Sequence, residues 1–191
     1  MSMTIKREII PLFPTPLYVI NDFITEKERV KIYDSIKKLT HFPHASISGN
    51  GNSTHNENSS VNFLDRGIKD RIQLALDEFS DGYGCYKTKI DLIWSNIQMK
   101  GSILKEHTHA NSLFSGALYI NANDGIYFHN PNPYIYFTPT NKYTGYNDEY
   151  TRFPVNNCQL LIFPSWLKHG KTDLINEMDD RVVVSFNACT K

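Results

Sequence analysis

Two histidines separated by one residue are the pattern in this sequence most able to do chemistry. His107 and His109 lie in the segment GSILKEHTHANSLFSGALYIN, which is predicted to be extended. Side chains of a β-strand alternate between its two faces, so residues two apart point to the same side. Neutral imidazole binds iron, zinc, copper and nickel. The pair therefore predicts a chelate for a transition metal, although two surface histidines on an edge strand would give the same pattern.

A later segment could supply a third ligand. The strand-like run CQLLIFP leads into FPSWLKHGKT, which contains His169. When strands close into a jelly roll, a late strand comes to lie beside an early one, so His169 is the natural partner of the pair. The glycine and proline spacing around these histidines is similar to that of cupins. However, the acidic ligand of cupins is missing, because Leu113 and Phe114 occupy its place.

A single arginine begins the otherwise apolar run RVVVSFNA near the end of the sequence. Burial of an unpaired charge is costly, so a buried Arg181 needs an anion. Arginine holds a carboxylate in a two-pronged fork that lysine cannot reproduce. The residue therefore predicts a bound carboxylate ligand. The alternative is an exposed arginine at the start of a strand, paired with Asp179 or Asp180.

Helices and extended segments are predicted to precede these residues. Thr25 followed by Glu28 forms a capping box, after which apolar residues recur at helical spacing to about residue 40. A second helix is predicted from about Leu64 to Ser80. Between them, the polar stretch SISGNGNSTHNENSS at 46–60 predicts a surface loop. This loop would be either a lid over the site or an insertion without a role.

From Lys87 onward the sequence predicts almost only β-structure. Short runs rich in β-branched and aromatic residues are separated by turn formers, which suits a sandwich or barrel. The predicted fold class is mainly β with N-terminal helices, in a double-stranded β-helix (jelly roll, cupin-like). With 191 residues, we expect a single domain at 1–191. Residues 1–86 would support a jelly-roll core at 87–191 that carries the metal site.

Composition limits the partner and the compartment. Lysine plus arginine number 20 and aspartate plus glutamate number 20, which gives no reason to expect nucleic acid or an anionic membrane as partner. Prolines interrupt the short apolar stretches near the N-terminus, a pattern that fits neither a signal peptide nor a membrane span. We therefore expect a cytoplasmic protein. The three cysteines are widely spaced, which favours free thiols.

Taken together, these motifs resemble the superfamily of 2-oxoglutarate- and Fe(II)-dependent dioxygenases. The resemblance is to a bacterial and phage branch with the motifs LFPTPL, W-x-N, H-x-H with S-G-x-x-Y, F-P-S-W-L-x-H and R-x-x-x-S-F-N. In this sequence they lie, in the same order, at 12–17, 94–96, 107–119, 163–169 and 181–187. They span nearly the whole chain, and their order and spacing together make the resemblance fairly specific.

The resemblance implies an enzyme that binds Fe(II) through His107, His109 and His169, with no catalytic residues beyond these ligands. Its cosubstrate would be 2-oxoglutarate, its coproducts succinate and carbon dioxide, and its default reaction hydroxylation. The superfamily usually has a carboxylate where His109 stands. The iron site would therefore have three histidine ligands, or two and an extra open position.

The resemblance also implies a cosubstrate site around Arg181, which would bind the distal carboxylate of 2-oxoglutarate. Tyr119, Ser185 and Asn96 could assist it, and ordinary packing is the alternative role for each of these three. The primary substrate would be a small molecule or a protein side chain. It could be covered by the polar, aromatic stretch at 127–150, or that stretch could merely close an open barrel end.

Two other functions stay open on the sequence alone. A three-histidine, cupin-like dioxygenase without 2-oxoglutarate would use the same ligands but leave Arg181 unexplained. A non-catalytic jelly-roll binding or structural module would need neither metal nor cosubstrate. The proline-rich N-terminal arm could also reach a second subunit, which would give a homo-oligomer.

Overall fold

The fold is known from a computed structural model that describes residues 8–55, 63–137, 139–170 and 173–191. In chain order the elements are β1 (Tyr18–Ile20), α1 (Glu26–Ile36), β2 (Phe42–Pro43), β3 (Ile47–Ser48), β4 (Gly51–Ser53), α2 (Arg66–Tyr83), β5 (Thr88–Gln98), β6 (Ile103–Leu104), β7 (Phe114–Asn121), β8 (Gly125–His129), a 3-10 helix (Pro133–Phe137), β9 (Tyr150–Pro154), β10 (Leu160–Pro164) and β11 (Arg181–Thr190). As predicted, the architecture is mainly β with N-terminal helices.

An antiparallel sheet of seven strands is the centre of the fold, in the order β1-β10-β7-β11-β5-β4-β2. Two shorter pairs, β3-β6 and β8-β9, form the second layer. Single bridges from His107 and from Phe128 to His169 connect these pairs. The chain thus places the histidine segments between the two short pairs, in the layer that faces the large sheet.

Both predicted helices are present, and local side chains define their starts. The Thr25 hydroxyl accepts a hydrogen bond from the Glu28 backbone N–H at 3.2 Å, and the Glu28 carboxylate accepts one from the Thr25 N–H at 2.8 Å. This capping box begins α1 where the sequence predicted, but the helix ends at Ile36 instead of about residue 40. Asp65 caps the start of α2, and Gly84, in the left-handed conformation, caps its end after Tyr83.

The two helices cover one face of the large sheet and form the main core with it. The helices contribute apolar residues at helical spacing, and β7 and β11 contribute every second residue. The buried members of this core on the four elements include Ile32, Ile36, Ile68, Ile72, Leu76, Phe79, Phe114, Leu118, Ile120, Val182, Val184 and Phe186. This face of the sheet therefore supplies most of the burial that stabilises the fold.

A glycine in β7 allows the close packing of a core aromatic ring. A Cβ atom at Gly116 would lie 2.2 Å from Cζ of Phe186 and 2.9 Å from the carbonyl oxygen of Leu161. Both distances are too short for real contacts, so a larger residue would force the ring and the neighbouring strand to move. Packing thus explains the glycine of the Ser-Gly pair that follows the His-x-His motif.

Parts of the predicted loop at 46–60 are strands, so that prediction was wrong for 47–48 and 51–53. Ser53 and Thr54 are buried, and they hydrogen bond to the backbone of Ser95 in β5. Because β5 satisfies these hydroxyl groups, a polar sequence can occupy a buried strand here. Residues 56–60 of the predicted loop lie outside the described residues.

Two further observations concern the chain as a whole. Neither described helix combines the length and apolar character that crossing a bilayer requires. The three cysteines are free, with Cys158 buried and Cys85 and Cys189 half-buried.

Candidate metal centre and its cavity

Three histidines converge at one point on the inner side of the sheet sandwich. One ring nitrogen from each of His107, His109 and His169 lies within 4.8 Å of the others. The Nε2 atoms of His109 and His169 are 3.3 Å apart. The fold brings them together by pairing the extended segment at His107 with His169, through two backbone hydrogen bonds of 2.9 and 3.0 Å. The predicted strand at 107–109 is reduced to this one bridge.

Backbone carbonyls orient two of these rings. Nδ1 of His107 lies 2.7 Å from the Lys105 carbonyl oxygen, and Nδ1 of His169 lies 2.9 Å from that of Leu167. A carbonyl oxygen only accepts, so each Nδ1 carries the proton and each Nε2 keeps its lone pair. Carbonyl groups commonly fix metal-binding histidines in this way. Both rings are thus set to present Nε2 as a ligand.

Burial keeps the three imidazoles neutral. His169 is only 4% exposed, and burial lowers its pKa well below the ordinary value. Burial also lowers the pKa of His107, and it lowers that of His109 to about 4 with a contribution from neighbouring histidines. Neutral imidazole is the form that binds a metal. These three neutral nitrogen donors, which no carboxylate of the described residues joins, form a ligand set that suits iron, zinc, copper or nickel.

The three histidines line a cavity of about 460 Å³, and all four residues of the predicted cosubstrate site line it too. Arg181, at the start of β11, is 6% exposed, and its guanidinium carbon lies 5.8 Å from the centre of the Tyr119 ring. Asn96 donates a hydrogen bond of 3.2 Å to the Ser185 hydroxyl. The volume is in the range of small-molecule sites. The fold therefore gathers all seven residues of the predicted metal and cosubstrate sites around one cavity.

One polar atom in this cavity wall is buried without a partner. The Tyr119 hydroxyl makes no hydrogen bond to any described residue, although the side chain is 1% exposed. Burial raises the pKa of this phenol far above its ordinary value, so it stays protonated and can donate. A buried hydroxyl without a partner costs roughly 1–3 kcal/mol. A ligand that accepts a hydrogen bond here would recover that cost.

The charge of Arg181 has a different partner from those considered in the sequence. Its Nε donates to the Asp124 carboxylate at 2.9 Å, and its Nη1 donates to the Gln98 side chain at 2.8 Å. Asp180 pairs instead with Lys37. The arginine is buried as expected, but a protein carboxylate already balances its charge. Its third nitrogen, Nη2, has no hydrogen-bond partner among the described residues.

Two histidines that sequence reasoning passed over also line the cavity. His44 and His55 lie on either side of β3 and β4, and the Nε2 of His44 is 3.2 Å from Nδ1 of His55. Five of the seven histidines in the chain thus face one cavity. That enrichment was the available signal, but the polar segment around these two was taken for a loop.

The aromatic stretch at 127–150 does not reach the cavity in the described residues. Its rings at Tyr134, Phe137, Tyr143 and Tyr146 are between 61% and 80% exposed. None of the residues of this stretch that the structure describes lines the cavity. A direct role in substrate contact therefore has no support from this structure.

Comparison with known families agrees with this geometry. A family profile described as "Putative 2OG-Fe(II) oxygenase" matches residues 92–187, which include all three histidines and the predicted cosubstrate site. The chain belongs to this family. It is therefore an oxygenase that uses Fe(II) and 2-oxoglutarate, and the two alternative functions considered from the sequence are not favoured. The narrower bacterial or phage branch stays a prediction.

Solved structures of other oxygenases share the fold. HygX from Streptomyces hygroscopicus, with nickel and 2-oxoglutarate bound, is 10% identical with a TM-score of 0.63, covering 93% of this chain and 84% of that one. A Pseudomonas putida prolyl-4-hydroxylase is 10% identical with a TM-score of 0.61, covering 93% and 94%. The viral collagen prolyl hydroxylase of Paramecium Bursaria Chlorella virus-1 is 12% identical with a TM-score of 0.59, covering 92% and 96%.

At such low identities the similarity concerns the fold alone, and it confirms the predicted double-stranded β-helix. The search of curated proteins found no sequence that matches this oxygenase.

Proposed function

We propose that the enzyme hydroxylates a small molecule or a protein side chain, with iron held by His107, His109 and His169. Two of the rings are already set in the ligand tautomer by carbonyl groups, and all three are neutral through burial. Bound iron, 2-oxoglutarate and dioxygen would together supply the oxidant for a C–H bond: one oxygen atom of dioxygen would enter the substrate and the other the succinate, with loss of carbon dioxide. The ligand residues contribute geometry and exclude water from the centre.

Arg181 and Tyr119 would bind the distal carboxylate of the cosubstrate. The observation that carries this assignment is the orphaned Tyr119 hydroxyl beside a buried guanidinium whose Nη2 is free of described partners. Together they offer two donors, which suits the two oxygens of a carboxylate. Ser185 and Asn96, bonded to each other on the same cavity wall, would support the bound cosubstrate.

The dianionic cosubstrate also suits a centre to which no described residue contributes a carboxylate. With His109 in place of the usual acidic ligand, three neutral ligands leave the charge of Fe(II) uncompensated. The negative charge of 2-oxoglutarate would offset it. This complementarity favours cosubstrate binding at the metal over a centre that works without it.

The substrate classes among similar proteins are broad. HygX has been crystallised with hygromycin B, and two other neighbours are prolyl hydroxylases. They support a small molecule or a protein side chain for this chain. The single domain at 1–191, the cytoplasmic location and a possible homo-oligomer are further proposals that rest on the sequence.

An anaerobic titration with Fe(II), with and without 2-oxoglutarate, tests the cosubstrate assignment. We expect a weak visible charge-transfer band from the chelate in the wild type, and its loss or strong reduction in Arg181→Ala. Arg66→Ala is the matched control, because Arg66 lies exposed on α2 away from the cavity. If the band in Arg181→Ala equals that of the wild type, the assigned role of Arg181 is wrong.

Tyr119→Phe separates this role from ordinary packing. Because the hydroxyl is unsatisfied in the free protein, we expect its removal to raise the free energy of unfolding, by up to about 1–3 kcal/mol. The affinity for 2-oxoglutarate should fall by several-fold in the same variant. If Tyr119 only packed against its neighbours, the variant would not combine a higher free energy of unfolding with a lower affinity for 2-oxoglutarate. Unfolding in urea and the titration above measure the two effects.

A further inference from the structure

Two hydrogen-bonded histidines, His44 and His55, lie beside the metal centre and have no role in the function proposed so far. His44 and His55 line the same cavity as the three metal-binding histidines. The His55 ring packs edge-on against Trp94 at 4.7 Å between ring centres, and Trp94 in turn lies 5.7 Å from His109. This group therefore borders the side of the metal centre next to His109.

One backbone donor determines which ring nitrogens of His44 and His55 donate and which accept. The Ser46 backbone N–H, which can only donate, lies 3.3 Å from Nδ1 of His44, so this nitrogen accepts. In the neutral ring the proton is then on Nε2, which donates to Nδ1 of His55 at 3.2 Å. The proton of His55 is consequently on its Nε2. That N–H has no hydrogen-bond partner among the described residues.

A positive charge lies against the same segment. Lys105 lines the cavity, and its ammonium group donates to the Ala45 carbonyl at 3.1 Å, next to His44. Lys105 forms no salt bridge within the described part of the chain. Among the described residues that line the cavity, the two other charged groups are neutralised locally, because Glu106 pairs with Lys168 at 2.5 Å and Arg181 pairs with Asp124. Lys105 therefore leaves a net positive charge at this edge of the cavity.

We propose that His55, positioned by His44, and Lys105 bind an oxyanion of the primary substrate, a carboxylate or a phosphate. The imidazole N–H and the ammonium group are both donors, and neither offers an acceptor to the substrate. Charge-assisted hydrogen bonds of this kind are stronger than neutral ones. Trp94 lines the same cavity and would add an apolar contact for the part of the substrate next to the oxyanion. This inference rests on the proposed function, because it names the substrate class of the same centre.

Trp94 offers a direct readout of this site. The chain has two tryptophans, so Trp166→Phe leaves Trp94 as the sole tryptophan, whose emission is excited selectively over that of the tyrosines. In this background, loaded anaerobically with Fe(II) and saturating 2-oxoglutarate, fluorescence is titrated with benzoate, phenyl phosphate and neutral benzamide. Saturating cosubstrate keeps the probes from the Arg181 site. We expect at least one acid to bind saturably, about tenfold or more tighter than benzamide.

Variants identify the donors. His55→Phe keeps the ring against Trp94 but removes the N–H, and Lys105→Gln removes the charge. Each should weaken binding of the acid about tenfold or more. Lys27→Gln, on the exposed surface of α1, is the control for loss of a lysine and should leave binding unchanged. Thermal unfolding followed by circular dichroism checks that each variant is folded.

Equal binding of benzamide and the acids, no saturable binding of either acid, or unchanged affinity in both variants would overturn the proposal. Preference for benzoate over phenyl phosphate assigns a carboxylate, and the reverse assigns a phosphate. The charge-transfer band is recorded in the same samples. Its absence contradicts the proposed function, whereas a normal band without acid binding contradicts the oxyanion site alone.

Discussion

The two faces of β11 differ in composition although they belong to one strand. On the helix side, Val182, Val184, Phe186 and Ala188 are fully buried in the main core. On the cavity side, Arg181, Val183, Ser185 and Asn187 line the cavity that contains the three histidines. Successive residues of a strand point to opposite faces, so ten residues serve both purposes.

The two faces of β11 therefore have separate roles, one in stability and the other in ligand binding. The four buried residues on the helix side are all apolar, and their neighbours are other apolar residues of the helices and β7. The cavity side carries donors and acceptors whose partners are other polar side chains, as with Ser185 and Asn96. Substitutions on the helix side should therefore change the free energy of unfolding, and those on the cavity side should change ligand binding.

Phe186→Ala gives the largest expected effect on the helix side. The ring is fully buried, so its removal should lower the free energy of unfolding by about 3–5 kcal/mol. Ser185 directly precedes Phe186 and lies on the opposite face of the strand. Ser185→Ala should cost no more than about 1 kcal/mol, because it loses one half-buried hydrogen bond. Urea unfolding measures both. Similar losses in the two variants would contradict the separation of the faces.

His109 gives the largest expected effect on the cavity side. His109→Ala removes one donor nitrogen and should weaken Fe(II) binding on the order of 100-fold, or about 2.8 kcal/mol. His109→Asp provides the carboxylate usual in this superfamily and should keep Fe(II) binding and the 2-oxoglutarate band. Anaerobic metal titration measures the affinity. If both variants bind Fe(II) as the wild type does, His109 is not a ligand.

Gly116→Ala tests the packing of β7 against β11. The added methyl group would overlap the Phe186 ring and approach the Leu161 carbonyl, so we expect a loss of about 1–3 kcal/mol in the free energy of unfolding. Combining it with Phe186→Leu should cost less than the sum of the two single changes. Strictly additive costs in a double-mutant cycle would show that the ring is not the obstacle.

The smallest change in stability is expected for a substitution of Asp180, which directly precedes β11 and contacts residues at the end of α1. Asp180 accepts hydrogen bonds from Lys37, at 2.7 Å, and from the Tyr33 hydroxyl. Burial alone would raise the pKa of this carboxyl, but the hydrogen bonds from Lys37 and Tyr33 outweigh it and lower the pKa. The stabilisation is present above the ordinary pKa and is lost as the pH falls through the lowered value.

Asp180→Asn should remove this part of the pH dependence. The expected change in the free energy of unfolding near neutral pH is below about 1 kcal/mol, because Lys37 is partly exposed. Urea unfolding at neutral and acidic pH, compared with the wild type, measures it. A variant whose stability falls as steeply in acid as that of the wild type would exclude Asp180 as the source.

Local patterns in the sequence determined the element types and several of their boundaries. The capping box at Thr25 and Glu28 predicted the start of α1, because both hydrogen bonds form within one helical turn. Alternating and β-branched residues predicted the strands after Lys87. The His-x-His pair predicted two imidazoles on one side of an extended segment, since two-residue spacing in extended chain is a local property.

Only the tertiary structure decided which distant groups meet. The sequence named His169 as the candidate third ligand, but the bridge between His107 and His169 is what brings the rings together. The pairing of Arg181 with Asp124 replaces the sequence neighbours Asp179 and Asp180. Strand pairing and register select such partners, and the sequence alternation of one strand does not encode them.

Strand pairing also explains why the polar segment before His55 is buried. Its polar residues are typical of a loop, yet β5 supplies hydrogen bonds that allow them to be buried, and the two extra histidines then face the cavity. The sequence by itself determined the chemistry available to this protein, whereas long-range backbone pairing determined which of those groups share one cavity.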